Sequence, residues 1–290
     1  MNITFLGTSS GVPSLTRNVS SLALKLSQSS EVWLFDCGEG TQHQLMKSNI
    51  KSSQIKKIFI THMHGDHIYG LPGLLATLGL SGNSNGIDIY GPLELRGFIN
   101  SVLKSSFCKL SFPLNFVEVE NFASKNKLLF ENDKLKVNCA CLKHKIPAYG
   151  YRVSEKDRPG IFDIKKAKSM KIVPGPIYSE LQQGKKVILA DGRSFNGEEF
   201  CGPPRKGGSF VYCTDTVFSE SAVSLSKNAD LLVHESTFSE EDESMAYDKL
   251  HSTTIMAAKT ALLSNAKKLI ITHLSPRYTN KNLIDRKSVV

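Results

Sequence analysis

The sequence lacks long hydrophobic runs. No apolar stretch approaches the roughly 18–20 residues that a membrane-spanning helix needs. The start of the chain, MNITFLGTSSGVP, also lacks the basic residues and apolar segment typical of a secretory signal peptide. These two absences lead us to expect a cytoplasmic protein with no membrane partner. What is present is a chain of 290 residues with an ordinary 40% hydrophobic content, which is long enough for a large core.

Closely paired cysteines are absent as well. The chain contains no CxxC pair, so a zinc knuckle is not expected. A cytoplasmic protein of this size does not need disulfides, and we therefore expect buried free thiols. The six cysteines are Cys37, Cys108, Cys139, Cys141, Cys201 and Cys213.

Histidine is scarce, yet three of the eight histidines fall within the stretch THMHGDH, directly after an apolar run. Residues two apart just after a strand point the same way, so His62 and His64 can bind one ion. Side chains at adjacent positions diverge, which directs Asp66 and His67 to a second ion nearby. Imidazole nitrogen and carboxylate oxygen suit zinc and similar metals. Gly65 lacks a Cβ and is expected to allow a tight turn between the two pairs.

Four side chains cannot complete the coordination of two ions, so further ligands are expected elsewhere in the chain. Ligand-type residues follow several other apolar runs, where loops gather side chains into clefts. These residues are His144, Asp215, His234 and His273. A single histidine after a strand is more often a structural residue, and only the cluster favours ligation for the group. His251 and His43 lie in less apolar surroundings, and we place His43 on the surface of a helix.

The order of apolar patterns predicts an α/β protein. Short runs rich in β-branched and aromatic residues predict strands, and they alternate with segments of helical pattern. The predicted strands are NITFLG, SLALKL, EVWLFD, IKKIFITH, GIDIYG, KLKVNCACLKH, KVILADG, SFVYCTD, DLLVHES and KLIITH. The predicted helices are GLPGLLATLGL, ESAVSLSKNA and STTIMAAKTALLSNA. Such a mixture indicates a layered sandwich.

Positive charge is concentrated in one segment, residues 154–208. The chain has a net charge of +9, and residues 155–193 carry nine Lys/Arg against five Asp/Glu, a local net of +4. Pro and Gly interrupt the segment at 159–160 and 174–176 and in CGPPRKGG, as they do in turns. The segment is either a protruding basic insertion, which would attract phosphate backbones, or a solvated surface hairpin.

The ordered motifs resemble those of the short form of ribonuclease Z, an endonuclease within the metallo-β-lactamase superfamily that trims precursor tRNA at its 3′ side. The matching stretches run in the same order from the first residues to Tyr278. They are ITFLGTSSGVP, RNVSS, DCGEGTQ, THMHGDH, PGP, YCTDT, HEST, HST and THLSPRY. The resemblance implies an αββα metallo-β-lactamase sandwich over residues 1–290, a single domain that carries 154–208 as an inserted flexible arm. It also implies removal of 3′ trailers with a 3′-hydroxyl left on the tRNA.

The same resemblance implies a site with two zinc ions per subunit. One ion would be held by His62, His64 and His144, and the other by Asp66, His67 and His273. Asp215 would bridge the two ions, and Asp66 would also accept a proton in the reaction. For the proton donor to the leaving oxygen we name His251 first, and His234 with the adjacent Glu235 second. His234 could instead orient a metal ligand, and Glu235 is expected to support rather than react.

The resemblance also assigns partners. The arm would bind precursor tRNA away from the cut and reach over from the other subunit of a homodimer. Lysines contact phosphates without reading sequence. The expected contacts are Lys165, Lys166, Lys168, Lys171, Gly175 and Pro176, together with Arg277, which pairs either with substrate phosphate or with a structural carboxylate. The stretch PSLTRN departs from the family, because Leu15 stands where lysine is common.

Two other functions fit parts of the sequence. A small-molecule hydrolase of the same fold, such as a phosphodiesterase, explains the ligands but leaves the basic arm without a role. A nucleic-acid-binding module with a structural metal site explains the arm but not the proton-transfer candidates beside the ligands.

Overall fold

The computed structural model describes residues 1–27, 29–123 and 128–278. The chain divides into two compact units. The larger unit contains residues 1–131, 136–153 and the chain from Ser209 onward, and the smaller unit contains Asn132–Leu135 and Ser154–Gly208. No helix among the described residues combines the length and the apolar character needed to cross a membrane.

The strands, in chain order, are β1 (Asn2–Gly7), β2 (Ser21–Lys25), β3 (Val32–Phe35), β4 (Ile55–Phe59), β5 (Ile87–Gly91), β6 (Leu114–Glu118), β7 (Leu128–Glu131), β8 (Leu135–Leu142), β9 (Ala148–Glu155), β10 (Lys186–Ile188), β11 (Ser194–Asn196), β12 (Ser209–Cys213), β13 (Leu231–Glu235) and β14 (Leu269–Thr272). The α-helices are α1 (Thr41–Lys47), α2 (Gly65–Ile68), α3 (Leu71–Leu80), α4 (Glu94–Ser105), α5 (Glu120–Ala123), α6 (Ile164–Ser169), α7 (Pro176–Gln182), α8 (Glu220–Leu225), α9 (Glu243–Lys249) and α10 (Thr254–Leu263). Short 3₁₀ turns lie at Ser52–Gln54, Gly197–Phe200 and Glu240–Asp242.

The larger unit contains two sheets. The first has the order β1-β2-β3-β4-β5-β6, and the second has the order β14-β13-β12-β9-β8-β7. Strands β3 to β6 run parallel to one another, and so do β12, β13 and β14. The C-terminal ends of parallel strands meet at one edge of their sheet, which is where the ligand-type residues follow.

Aromatic rings fill the space between the two sheets. The Phe35 ring stacks on Phe59 with centroids 4.9 Å apart and meets Phe210 edge-on at 5.3 Å. Phe59 meets Tyr151 edge-on at 5.3 Å, and Trp33 lies 5.7 Å from Phe130. Offset and edge-to-face rings at these distances attract one another in addition to burying area. The layer therefore fixes the first sheet against the second.

Aliphatic side chains pack helices on the outer face of each sheet. On the first sheet, Ile58 and Ile89 share a buried cluster with Leu75 of α3 and Ile99 of α4. On the second sheet, the corresponding cluster joins Val211 and Leu232 to residues of α8 and α10. The layers are thus helices, sheet, sheet and helices, which confirms the predicted αββα sandwich.

All the predicted strands are present, although KVILADG contributes only Lys186–Ile188. The three predicted helices are confirmed as α3, α8 and α10. Strands β6, β7, β9 and β11 were not predicted. Half-exposed β6 has no continuous apolar run, and Gly150 with Arg152 interrupts the pattern of β9. Close packing favours glycine at position 150, because a Cβ there would lie 2.9 Å from a methyl group of Leu225 and 3.1 Å from the Cys213 sulfur.

The smaller unit has a core of its own. Helices α6 and α7, the antiparallel pair β10 and β11, and the 3₁₀ turn surround buried Ala167, Ile172, Leu181, Val187 and Phe200. Asp163 caps α6 by accepting a hydrogen bond from the Lys166 amide at 2.9 Å. Its core makes the segment 154–208 more than a surface hairpin. The assignment of this segment as a tRNA-binding arm stays a prediction.

The expectation of buried free thiols is correct for Cys37, Cys139 and Cys213 and wrong for Cys141, which is exposed. Cys141 lies in β8, where alternate side chains face opposite sides of the sheet. Cys108 and Cys201 are half-buried. Burial raises the pKa of the Cys37 and Cys213 thiols to about 12, so both remain protonated at neutral pH.

Candidate metal centre

Two predicted ligands and one further carboxylate lie just beyond the ends of parallel strands. Asp36 follows β3, Asp215 follows β12 and His273 follows β14, and all three have a positive φ, of 58°, 54° and 56°. This left-handed conformation is costly for residues other than glycine and is typical of functional sites. At each of the three residues it turns the chain sharply out of the preceding strand and aims the side chain across the edge of the sheet.

The first ligand group consists of His62, His64, His144 and Asp215. His64 Nδ1 lies 3.0 Å from His62 Nε2 and 3.3 Å from His144 Nε2. Asp215 Oδ2 lies 3.5 Å from His62 Nε2 and 3.9 Å from His144 Nε2. Four ligand atoms from three separate segments therefore converge on one point.

The second ligand group consists of Asp66, His67 and His273. His67 Nε2 and His273 Nε2 lie 3.3 Å apart, and each is 3.4 Å from Asp66 Oδ2. Asp215 Oδ1 completes the arrangement at 3.3 Å from both nitrogens. In a tetrahedral zinc site, ligand distances of about 2.0–2.1 Å give edges of about 3.3–3.4 Å, so these separations match a tetrahedron around one ion.

Hydrogen bonds fix the tautomers of His62 and His67. His67 Nδ1 donates to Asp36 Oδ2 at 2.8 Å. The Thr61 hydroxyl donates to Asp36 at 2.9 Å and accepts from His62 Nδ1 at 3.0 Å. Both imidazoles therefore carry a proton on Nδ1, and both Nε2 atoms point into the centre.

The tautomers of His144 and His273 are fixed in the same way. His144 Nδ1 donates to the Leu250 carbonyl at 3.1 Å. His273 Nδ1 donates to the Thr237 hydroxyl at 2.8 Å, and that hydroxyl donates to Glu235 Oε2 at 2.6 Å. Each of these histidines also presents an unprotonated Nε2 to the centre.

Two observations show that a cation fits between these atoms. Nitrogen and carboxylate oxygen atoms of the second group converge at 3.3–3.4 Å, where a positive charge must lie among them, either a metal ion or the proton that the raised pKa of His67 retains. In addition, Asp215 Oδ1 is buried and has no hydrogen-bond partner among the residues that the structure describes. A buried carboxylate oxygen without a donor is costly, and a metal ion would satisfy it.

The electrostatics favour ligand protonation states in most of the group. Burial lowers the pKa of His62 and His144, which keeps both rings neutral. Burial would raise the pKa of Asp66 and Asp215, but attraction to the neighbouring histidines outweighs it and lowers both pKa values. Burial likewise opposes the charged form of His67, but the carboxylates of Asp215, Asp36 and Asp66 outweigh it and raise its pKa.

Glu235 organises the side of the centre that carries His251. Its Oε1 accepts from the Thr216 amide at 2.6 Å and from His251 Nδ1 at 2.9 Å. Its Oε2 accepts from the Thr237 amide, the Thr237 hydroxyl and the Ser252 amide. Glu235 is completely buried, and it orients His251 directly and His273 through Thr237. Its supporting role in the reaction stays a prediction.

His251 stands at the edge of the centre. Its Nδ1 lies 3.8 Å from Asp215 Oδ2, and its side chain is 14% exposed, whereas the buried ligands are 0–3% exposed. Burial lowers its pKa, but the charge and hydrogen bond of Glu235 outweigh burial and raise the pKa to about 9. His251 is also close enough to Asp215 and His273 to form a third possible ligand group.

The structure does not bring His234 to the centre. It lies within β13, where its Nδ1 donates to the Glu235 carbonyl at 2.8 Å. Its Nε2 is buried and has no hydrogen-bond partner within the described part of the chain. His234 and Glu235 are neighbours on one strand and point to opposite faces, and only Glu235 faces the ligands. His43 is exposed on α1, as predicted.

The predicted substrate-binding residues have different surroundings. Lys165, Lys168, Lys171, Gly175 and Pro176 are exposed in the smaller unit. Lys166 is half-buried, because its Nζ donates to the Glu199 carbonyl at 2.6 Å and lies 5.2 Å from the Phe200 ring centroid. In the larger unit, Arg277 lies 3.6 Å from Asp242 Oδ2 and 5.4 Å from the Phe238 ring centroid.

A pocket of about 360 Å³ opens beside Asp66. Its lining includes Gly11, Val12, His64 and Tyr69. Gly65 lies in this wall and opens α2 directly after His64 without a positive φ, and its role in a tight turn stays a prediction. The structure shows another reason for glycine, because a Cβ at Gly65 would lie 2.1 Å from the Tyr69 ring.

The orienting residues Asp36, Thr61 and Thr237 were not identified individually from the sequence. All three residues lie within quoted motifs, Asp36 in DCGEGTQ, Thr61 in THMHGDH and Thr237 in HEST, so a signal was present. Asp36 and Thr237 are recognised as functional only when the fold places each against a ring nitrogen of a distant histidine, and Thr61 only when its hydroxyl links Asp36 to His62.

Similarity to curated proteins extends over nearly the whole chain. The chain is 92% identical to Ribonuclease Z of Prochlorococcus marinus strain MIT 9301 over 284 residues, which cover 98% of this chain and 91% of that protein. It is 61% identical to Ribonuclease Z of strain NATL2A over 282 residues, which cover 97% and 90%. The family model described as Anti-Pycsar protein Apyc1 matches residues 1–154.

Solved structures show the same architecture. Human tRNase Z, short form, is 34% identical with a TM-score of 0.69, covering 96% of this chain and 94% of that chain. The metallo-β-lactamase fold protein YhfI of Bacillus subtilis has a TM-score of 0.65 at 17% identity, covering 98% and 90%, and it shows the fold alone. The chain therefore has the metallo-β-lactamase fold and belongs to the ribonuclease Z family, and its first 154 residues fall within the sequence family of Apyc1.

Proposed function

We propose that this protein is a metal-dependent endoribonuclease that removes 3′ trailers from precursor tRNA and leaves a 3′-hydroxyl on the tRNA. The observation that carries this proposal is the pair of ligand groups that share Asp215, one through each carboxylate oxygen. Family membership supports the choice of RNA as substrate.

Phosphodiester hydrolysis needs a nucleophile, neutralisation of charge on the phosphate, and a proton for the leaving oxygen. Two metal ions, when bound, supply the first two of these. His62, His64 and His144 would hold one ion, and Asp66, His67 and His273 the other, with Asp215 between them. Zinc suits this set of imidazole and carboxylate ligands, and we propose two zinc ions per subunit.

Asp66 is the proposed proton acceptor. It is ionised, because its pKa is lowered, and its side chain is 11% exposed at the wall of the open pocket. An ionised carboxylate at the boundary between the ligands and the pocket can orient the attacking water and take its proton.

His251 is the proposed proton donor to the leaving 3′ oxygen. Glu235 holds its Nδ1 at 2.9 Å, which leaves Nε2 for proton transfer. This arrangement of a buried carboxylate, an imidazole and a reacting oxygen lets the ring carry a proton in a fixed orientation. His234 remains a weaker candidate, because its ring is buried away from the ligands.

The smaller unit is the proposed tRNA-binding arm. Exposed Lys165, Lys168 and Lys171 can contact the phosphate backbone of a folded RNA, which is recognised by shape more than by sequence. Lys166 stabilises the unit itself through Glu199 and Phe200, so we expect a smaller contribution to binding from it. A homodimer in which the arm serves the partner subunit also stays a proposal.

A hydrolase of small phosphodiesters is the second candidate, because the ligand groups alone set no lower limit on substrate size. Incubation with trailer-bearing precursor tRNA and with bis(p-nitrophenyl) phosphate, with and without chelator, separates the two. Trailer removal that is lost on chelation supports the endoribonuclease. Turnover of the small substrate alone supports the second candidate, and RNA binding without turnover contradicts both.

A further inference from the structure

The loop that follows β1 touches the second ligand group through its backbone. The Gly11 amide donates a hydrogen bond to Asp66 Oδ2 at 2.8 Å. The same oxygen lies 3.4 Å from the Nε2 atoms of His67 and His273. One atom of Asp66 is thus both the predicted metal ligand and the acceptor of a loop amide.

The loop is anchored on the opposite side of the same group. The Leu274 amide donates to the Thr8 carbonyl at 2.8 Å, and the Ser10 amide donates to the Leu274 carbonyl at 3.1 Å. Leu274 directly follows His273 in the chain. Residues 8–11 therefore connect the backbone beside one ligand to the carboxylate of another, so a displacement of the loop would move both.

The backbone conformation at position 11 favours glycine, although there is room for a side chain. Gly11 has a φ of +70°, and a Cβ built there would meet no atom within 4 Å. An L-residue at this position favours a negative φ, so the loop would have to shift around the peptide plane that carries the amide bound to Asp66. The sequence thus places a residue without a side chain where the direction of an N–H group matters.

We propose that Gly11 is a positioning residue whose amide commits Asp66 Oδ2 to the second metal ion and leaves the other carboxylate oxygen to accept the proton of the attacking water. The proposal rests on the proposed function of Asp66. Hydrogen bonds to charged groups are the stronger class, and losing this one should cost about tenfold or more in the rate of the chemical step.

The test compares Gly11→Ala with Gly82→Ala. Gly82 is a matched control, because its φ is +74° and its Cβ would also meet no atom within 4 Å. On bis(p-nitrophenyl) phosphate, kcat of Gly11→Ala should fall about tenfold or more with KM within about twofold, while Gly82→Ala stays within about twofold of wild type. In a titration of metal-free protein with Co²⁺ followed by its visible spectrum, only Gly11→Ala should bind the second equivalent about tenfold more weakly.

Equal behaviour of the two alanine variants in both kcat and Co²⁺ affinity would overturn the proposal. If Gly11→Ala does not fold, ligation at Cys37 allows the amide between Ser10 and Gly11 to be replaced by an ester. The ester removes the N–H donor to Asp66 and weakens the Ser10 carbonyl, which accepts from the Val12 amide at 2.7 Å, but it adds no side chain. The same losses relative to the all-amide ligated protein are then expected, and unchanged kcat and Co²⁺ affinity would overturn the proposal. Absence of any hydrolysis by wild type refutes the proposed function, while the Co²⁺ titration still tests the positioning role.

Discussion

Glu235→Gln is the substitution for which the structure predicts a large loss of stability from a very small change. Five donors converge on the buried carboxylate, two on Oε1 and three on Oε2. A glutamine amide offers one acceptor oxygen, so its NH₂ group must face the donors of the other oxygen. The less costly orientation keeps the amide oxygen on the three donors of Oε2, and the NH₂ group then faces the Thr216 amide and His251 Nδ1.

The magnitude follows from those two contacts. Each is a hydrogen bond to a charged group, worth about 1.5–3 kcal/mol, and the Thr216 amide is left buried without an acceptor. We therefore expect the free energy of unfolding to fall by about 3–5 kcal/mol, a large part of the 5–15 kcal/mol typical of a folded domain. Activity should fall as well, since His251 loses the group that orients it.

The assay is urea unfolding of metal-free protein in the presence of chelator, which removes the contribution of bound ions. Glu240→Gln is the matched control. Exposed Glu240 accepts one hydrogen bond from the Thr253 hydroxyl at 2.8 Å, which an amide oxygen can also accept, so its effect should lie within about 0.5 kcal/mol. A loss below about 1 kcal/mol for Glu235→Gln would refute the reasoning.

Three further predictions concern the metal centre and the arm. Asp66→Ala should abolish cleavage of precursor tRNA, and near-normal turnover by a metal-replete sample would contradict its role as proton acceptor. Chelation should lower the melting temperature, because bound ions stabilise only the folded state, and an unchanged melting curve would argue against ion binding. Replacing residues 156–207 by Asn-Gly should weaken cleavage of tRNA and leave the hydrolysis of bis(p-nitrophenyl) phosphate unchanged. A two-residue turn can close this deletion, because the Glu155 amide donates to the Gly208 carbonyl at 2.8 Å. Equal loss on both substrates would contradict a tRNA-binding role for the arm.

The sequence predicts the parts of this structure that depend on local pattern. Strands such as β4 and β12 are β-branched or aromatic runs, and the ligands follow them directly because catalytic loops extend from strand ends. Strand β6 escaped prediction because a half-exposed edge strand needs no apolar run. The metal-ligand roles of the predicted residues stay predictions, although the structure places seven of them around two points.

The supporting residues are harder to predict, since their function exists only in three dimensions. Asp36 and His67 are 31 positions apart, and nothing in their spacing indicates the 2.8 Å contact. The donors to Glu235 come from the loops after β12 and β13 and from the turn before α10. Gly11 shows the same limit, because its contribution is the direction of a backbone amide and not a side chain.

The most direct test of the central claim is the chemistry of the ends produced from a precursor tRNA that carries a 3′ trailer. Sequencing and end-labelling of both products would locate the cut and identify its termini. The account predicts a tRNA ending in a 3′-hydroxyl and a trailer beginning with a 5′-phosphate, both lost when metal is removed. A 2′,3′-cyclic phosphate on the tRNA, or the same cleavage by metal-free protein, would contradict it.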